Sequence, residues 1–387
     1  MSADLLRGVI DLISEKELAE KIKTKKSLRV KLGVDPTSPD LHLGHTVILN
    51  KLKTFQQLGH KVIFIIGDFT ALIGDPSGRN ETRPKISEED VEKNSQTYLN
   101  QVFKLLDRDQ TEVHKNSTWL KKLFDPQKIG DTHSLFSLFS RATVQQLSQR
   151  EDFSQRLKAG LPITLMELMY PLFQGYDSVA IQADVELGGS DQLFNLLMGR
   201  SIQKDFNQET QVVITLPLLV GVDGVKKMSK SYGNAVTLND PPKEIFGKLM
   251  SIPDELMWKY YELLTQEDLP TVKALHPKEA KMRLAQSLTE QYHPGEGEKA
   301  RVEFEQIFSK KDLPEEIPEY KATQHKIFLS QLVFEAGLAP SKRESKRLIE
   351  NGGIRLDGEP ASKDHEIEIR SPFILQVGRR KFIRILP

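Results

Sequence analysis

Two stretches of the chain hold side chains whose types and spacing suit work on phosphates. In Asp35-Pro36-Thr37-Ser38-Pro39-Asp40-Leu41-His42-Leu43-Gly44-His45, two histidines stand three apart around a glycine. Placed at the start of a helix, both imidazoles share one face of the first turn, where free backbone N–H groups and the positive dipole end favour an anion. Gly44 removes a side chain between them and leaves room for a flat base against the backbone. The second stretch, Lys227-Met228-Ser229-Lys230-Ser231, is framed by Gly221, Gly224 and Gly233. Glycines on both sides suggest a mobile loop, and its two ammonium groups can follow charge as it develops on a leaving pyrophosphate. Taken singly, each stretch also has a plain reading, as capping histidines and as a solvated basic loop.

Two further groupings concern recognition. Tyr170, Gln174 and Asp177 recur at i, i+4 and i+7, a polar stripe on a helix otherwise flanked by Leu165, Met166, Leu168, Met169, Leu172 and Phe173. Such a stripe faces either water or polar partners. In Gly188-Gly189-Ser190-Asp191-Gln192 the glycines permit close backbone approach, and Asp191 can accept hydrogen bonds from hydroxyls.

Positioning these groups calls for a rigid frame. Arg29 to Val34 alternates like a strand, Leu43 to Leu58 has helical spacing, and Lys61 to Ile66 reads as a more deeply buried strand. Strand, helix, strand at this spacing implies a parallel sheet with a right-handed crossover. Further strands are expected at Glu112-Val113-His114 and Gln211-Val212-Val213-Ile214. The expected fold class is therefore α/β, a doubly wound Rossmann-like parallel sheet with its ligand site beyond the strand C-termini. From Pro242 to about Phe308 the pattern is helical, and Lys310 to Tyr320 has linker composition. Two helices, Ile327–Glu335 and Lys342–Glu350, and short strands punctuated by Asn351-Gly352-Gly353 and Asp357-Gly358 follow. The organisation expected is a catalytic domain over 1–222, a lysine loop and helical subdomain over 223–309, a linker over 310–322 and a small α+β domain over 323–387.

Composition bounds the partners. The 387 residues carry 54 Lys+Arg and 54 Asp+Glu, but from Lys321 onward 13 basic residues outnumber 8 acidic ones, so a basic tail follows an acidic body. The absence of cysteine excludes disulfides and thiolate zinc sites, and no structural metal is expected. No apolar run is long enough to cross a bilayer, and Met1-Ser2-Ala3-Asp4 lacks the features of a secretory signal, so a cytoplasmic protein with no membrane partner is expected.

Together and in this order, the two-histidine and lysine-loop stretches resemble the two signatures of class I aminoacyl-tRNA synthetases, and Gly188 to Gln192 is similar to a third. The Tyr170 to Asp177 helix resembles the substrate helix of the tyrosine-specific members. The resemblance implies activation of L-tyrosine by ATP and transfer of the tyrosyl group to tRNA(Tyr), with magnesium arriving on ATP and no protein nucleophile. It implies that His42, His45, Lys227 and Lys230 stabilise the phosphates, and that Arg79 and Arg83 meet pyrophosphate. ATP contacts are implied for Gly33, Asp35, Thr37, Gly44, Gly189, Asp191, Met228, Ser229 and Ser231. In the tyrosine pocket Asp177 is to receive the phenol hydroxyl, with Thr70 at the same end. Tyr170, Gln174, Asp75 and Asn116 are to serve the amino-group end, and Lys31 and Gln192 are also implied to bind tyrosine.

At the position of Lys31 many of these enzymes place a tyrosine. Strand alternation with Gly33 and Asp35 puts Lys31 on the ligand side, where a pairing with Asp177 is expected. The tail resembles the small RNA-binding module named after ribosomal small-subunit protein four, which implies phosphate contacts from Arg343, Lys346 and Arg347. A homodimer is also implied, with Leu135-Phe136-Ser137-Leu138-Phe139 as a candidate surface. A coenzyme nucleotidyltransferase would explain the two histidines but not the polar stripe or the tail, and a non-enzymatic RNA binder would not need the lysines.

Overall fold

The computed structural model describes residues 3–77, 86–309, 317–322, 324–361, 363–378 and 381–387. Within the compact unit formed by residues 1–301, six strands make one sheet. They are β1 (Asp11–Ile13), β2 (Arg29–Val34), β3 (Lys61–Ile66), β4 (Thr111–Lys115), β5 (Val185–Gly189) and β6 (Val212–Leu216), in the spatial order β1-β6-β5-β2-β3-β4. All neighbours are parallel except β1, which runs antiparallel to β6. The chain builds outward from β2 through β3 to β4, then returns to the other side of β2 with β5 and β6. The β2–β5 junction is thus the point where the winding reverses, the place where an open α/β sheet parts to admit a ligand.

Strands buried on both faces need continuous apolar runs. Val62, Ile63, Phe64, Ile65 and Ile66 of β3 and Val212, Val213, Ile214 and Leu216 of β6 are all essentially unexposed. The helix Leu43–Gln57 connects β2 to β3 and buries Leu43, Val47, Leu49, Leu52 and Phe55. Pro242 onward is helical as expected, including Pro242–Met250, Asp254–Leu264 and Pro277–Tyr292, with prolines in the first turn of two of them, where their missing N–H costs nothing.

Residues 302–387 form the second unit. Its main sheet runs in the order Glu359–Pro360, Ile354–Leu356, Phe373–Val377, Lys381–Leu386, Glu319–Lys321. Its own core includes Leu329, Leu332, Val333, Ile349, Leu375 and Ile385. Two expectations are corrected here. Ile327 and Phe328 do not open a helix: Lys326–Phe328 pairs with Glu366–Glu368, and the helix begins at Leu329, where the Asp364 carboxylate accepts from Ser330 N at 2.9 Å. Of the linker expected over 310–322, residues 310–316 lie outside the described residues, whereas Glu319–Lys321 is a strand of this sheet, parallel to Lys381–Leu386.

Phe55 anchors the helix that carries His42 and His45 and is fully buried. Phe55→Ala is expected to cost about 3–5 kcal/mol, measured as a lowered urea midpoint for loss of the helical signal; an unchanged midpoint would remove that helix from the cooperative core.

Candidate functional site

A cleft of about 1080 Å³ opens at the β2–β5 reversal, lined by the end of β2, the His42 turn, the end of β5, the polar stripe and the lysine loop. His42 is the N-cap of its helix: its Nδ1 accepts from Gly44 N at 3.1 Å, while His45 Nδ1 accepts from His42 N at 3.1 Å. A ring nitrogen that accepts a backbone N–H cannot carry the proton, so both neutral imidazoles hold it on Nε2. The rings lie 3.9 Å apart between centroids. Burial above all, then the neighbouring His45 and Lys230, pushes His42 down to about 2. Burial likewise lowers His45 to about 4. The pair therefore presents two N–H donors without a net charge. A Cβ on Gly44 would lie 2.9 Å from the His42 ring, so the glycine also makes room for that imidazole.

The two signature stretches are physically joined. Leu43 N donates to Val236 O at 3.0 Å and Leu238 N to Leu41 O at 3.0 Å, a short antiparallel contact around His42 and Thr237. The lysine loop ahead of it is held by Asn234, whose Oδ1 accepts from Ser229 N at 2.8 Å, and by buried Met228, whose N–H donates to Leu219 O at 2.7 Å. Lys227 Nζ is 3.8 Å from Asp191, and Lys230 Nζ is 3.1 Å from Asp40. Both ion pairs are partly exposed. Burial raises the Asp191 carboxyl, with Lys227 pulling the other way.

At the opposite end a chain of hydrogen bonds crosses the tips of three strands. Tyr170 OH and Thr70 Oγ1 donate to the two Asp35 oxygens at 2.8 and 2.6 Å. Asn116 Nδ2 reaches Thr70 Oγ1 at 3.0 Å and Asp177 Oδ2 at 3.3 Å, and Trp119 Nε1 donates to Asp177 Oδ1 at 2.7 Å. Gly67 makes this possible, since a Cβ there would stand 2.0 Å from Asp35 Oδ1 and 2.4 Å from Thr70 Oγ1. Burial raises the Asp177 carboxyl to about 6, against the pull of Lys31 and of its two donors. A second network holds Gln192 Nε2 on Asp75 at 2.8 Å and Asn195 Nδ2 on Gln174 Oε1 at 2.9 Å.

The cleft brings together Gly33, Asp35, Thr37, His42, Gly44, His45, Thr70, Asp75, Tyr170, Gln174, Asp177, Gly189, Asp191, Gln192, Lys227, Met228, Ser229, Lys230 and Ser231. Arg79 and Arg83 lie outside the described residues. Asn116, expected near the amino group of tyrosine, is fully buried against Asp177 and Thr70, because it follows β4 and caps the deep end of the cleft. Lys31 does not pair with Asp177. Its ammonium is wholly buried and sits 2.8 Å from Glu186, on the neighbouring strand β5.

Arg150, Asn195 and Trp119 also support the site without having been singled out. Arg150 is buried, bonding Ser77 and Asn195 at 2.7 and 3.1 Å, and no local pattern marks it. Asn195 follows Gln192 by three residues, a spacing that could have revealed it. In the second unit Arg343, Lys346 and Arg347 are exposed on the helix Lys342–Glu350, opposite buried Ser345 and Ile349.

Residues 23–309 match the family model of tRNA synthetases class I (W and Y), and residues 329–367 match the S4 domain. A tyrosine–tRNA ligase of Thermotoga maritima is 50% identical, covering 98% of this chain and 96% of its own. That of Moorella thermoacetica is 48% identical over 98% and 94%. Among solved structures, a tyrosyl-tRNA synthetase of Archaeoglobus fulgidus complexed with L-tyrosine shares the fold at a TM-score of 0.63 and 22% identity, covering 77% of this chain and 98% of that one. A C-terminally truncated mitochondrial tyrosyl-tRNA synthetase of Aspergillus nidulans does so at 0.64 and 21%, over 80% and 95%.

Nitrogen NMR of the imidazoles should find His42 and His45 neutral, with the proton on Nε2, throughout pH 5 to 8. Protonation of either ring within that range would contradict the backbone-locked geometry.

Proposed function

The chain belongs to the class I tRNA synthetases of the tryptophan and tyrosine type and is an aminoacyl-tRNA ligase for tyrosine, and we propose that its cleft holds tyrosine and ATP end to end for this reaction. The tyrosine carboxylate attacks the α-phosphorus of ATP, pyrophosphate leaves, and the terminal adenosine of tRNA(Tyr) then takes the tyrosyl group as AMP departs. The observation that carries this reading is the single cleft with phosphate-type donors at one end and a buried carboxylate at the other.

In this division of labour the Nε2–H groups of His42 and His45 donate to phosphate oxygens at a helix N-terminus. Lys227 and Lys230 leave Asp191 and Asp40 to follow the departing pyrophosphate, and Lys227 in doing so frees Asp191 for the ribose hydroxyls. Partly exposed ion pairs of this kind are worth about 1 kcal/mol or less, so exchanging them for phosphate costs little. Arg79 and Arg83 assist at the pyrophosphate. Magnesium enters as part of the ATP substrate. Gly33, Thr37, Gly44, Gly189, Met228, Ser229 and Ser231 line the nucleotide, while Asp75, Tyr170, Gln174 and Gln192 hold the amino end of tyrosine. Asp177 accepts the phenol O–H, with Asn116 and Trp119 holding it in place.

Arg343, Lys346 and Arg347 contact tRNA phosphates; their present partners, Asp364 for Lys346 and Glu344 for Arg347, are again surface pairs. We also assign the enzyme to the cytoplasm as a homodimer. None of the described helices is long and apolar enough to cross a membrane. Leu138 of the candidate dimer surface is buried, but Phe136, Val144, Leu165 and Met166 are exposed apolar side chains that a partner protomer could cover.

Tyrosine-dependent exchange of labelled pyrophosphate into ATP tests the reading directly. His45→Ala and Lys230→Ala should slow exchange about a hundredfold or more while leaving tyrosine binding nearly intact, as loss of a transition-state donor does. Exchange near the wild-type rate in both variants would refute the phosphate assignment.

The Asp177 carboxyl adds a pH signature. With its folded value raised to about 6, it is ionised above that pH and protonated below it. Tyrosine affinity should therefore weaken as pH falls through about 6 while ATP affinity holds steady, measured as KM for each substrate between pH 5 and 8. A tyrosine KM that stays flat would exclude Asp177 as the phenol acceptor.

A further inference from the structure

Behind the cleft lies a buried charge pair that the reaction as written does not use. Lys31 and Glu186 are register partners on β2 and β5, with side chains 0% and 2% exposed. Lys31 Nζ lies 2.8 Å from Glu186 Oε1 and donates to Ser178 Oγ at 2.8 Å and Gln174 O at 3.1 Å, so all three of its protons are used. Glu186 Oε2 in turn accepts from Ser178 Oγ at 3.0 Å and from Gln211 Nε2. Burying two ions costs about as much as their attraction returns, so such a pair is poorly explained as a stabilising device.

Its position supplies another explanation. Gln174 and Ser178 stand on either side of Asp177 in the helix Leu165–Ala180, and Glu186 itself lines the cleft. We propose that the Lys31–Glu186 pair is a positioning element for tyrosine recognition, clamping the helix around Asp177 and setting the electrostatic field in which that carboxylate meets the phenol. The inference rests on the reading of Asp177 as the phenol acceptor.

The charged and polar groups that face Asp177 come from three directions: Lys31 from β2, Glu186 from β5, and the Asn116 amide and Trp119 indole from the segment after β4. Burial raises the Asp177 carboxyl; of the two ions, Lys31 lowers it and Glu186 raises it. Removing one ion must therefore move Asp177 opposite to removing the other. A pair that only braced the sheet, too far from Asp177 to set its field, would leave that carboxyl where it is.

The test is the pH dependence of kcat/KM for tyrosine in pyrophosphate exchange by the full chain, whose acid limb reports the free enzyme. Lys31→Met should move that limb upward by about one pH unit and Glu186→Gln downward by a similar amount, the usual reach of a close buried charge. KM for ATP should stay near wild type in both. A limb that stays fixed in both variants, or moves the same way in both, overturns the proposal. Should Lys31→Met fail to fold by circular dichroism, Glu186→Gln decides alone, because the amide keeps the shape and the ammonium remains: a downward shift supports the proposal and a fixed limb overturns it. Asp177→Asn separates the two levels of inference. If it retains the wild-type limb, the phenol-acceptor reading fails and this proposal with it; if the limb vanishes there yet does not move in the other variants, only the positioning role is lost.

Discussion

A carboxylate shut away from water has to be surrounded by donors, and the deep end of the cleft is organised by that requirement at Asp177. Its two oxygens are satisfied by Trp119 and Asn116, which sit beyond β4. Asn116 is itself oriented by Phe69 N on its Oδ1 and by Thr70 on its amide, and Thr70 is tied to Asp35 at the end of β2. The tips of β2, β3 and β4 are therefore locked together by side chains as well as by the ladder below them. Even so, burial raises this carboxyl to about 6.

The two ends of the cleft solve opposite electrostatic problems. At the His42 end the fixed donors are neutral imidazoles at a helix start, and the charge is carried by lysines resting on partly exposed carboxylates. At the Asp177 end Lys31, Glu186 and Asp177 are enclosed and multiply bonded. An exposed pair loosens for about 1 kcal/mol or less, whereas separating a buried one costs several. The same residue type, lysine, is thus loosely held at positions 227 and 230 and enclosed at position 31.

Much of this was legible in the residues themselves. The apolar periods of Arg29–Val34, Leu43–Gln57 and Lys61–Ile66 are strong enough to define the βαβ unit, and that unit alone locates His42 and His45 at a helix N-terminus. The stripe of Tyr170, Gln174 and Asp177 survives as one face of a helix because its spacing is helical whatever surrounds it. What escaped depends on sheet order. Val185-Glu186-Leu187-Gly188-Gly189 has a carboxylate and two glycines, residues depleted in strands, so β5 did not announce itself. Without β5 beside β2, the true partner of Lys31 was invisible and Asp177 was the nearest alternative. Ile327 and Phe328 failed for a related reason, since a three-residue strand exists only through its pairing with Glu366–Glu368.

Among the described residues β4 closes one side of the main sheet without a further strand beside it, and its composition bears on whether another chain can pair there. Parallel sheets form slowly, and an unpaired edge is a template for other chains. Four of the five residues of β4 are Thr111, Glu112, His114 and Lys115, and Glu112 lies within 4 Å of Arg29, Lys61 and His114. A second strand docking there would have to strip water from this charged cluster with nothing to replace it. The charged edge at β4 thereby opposes pairing with a strand of another folded copy.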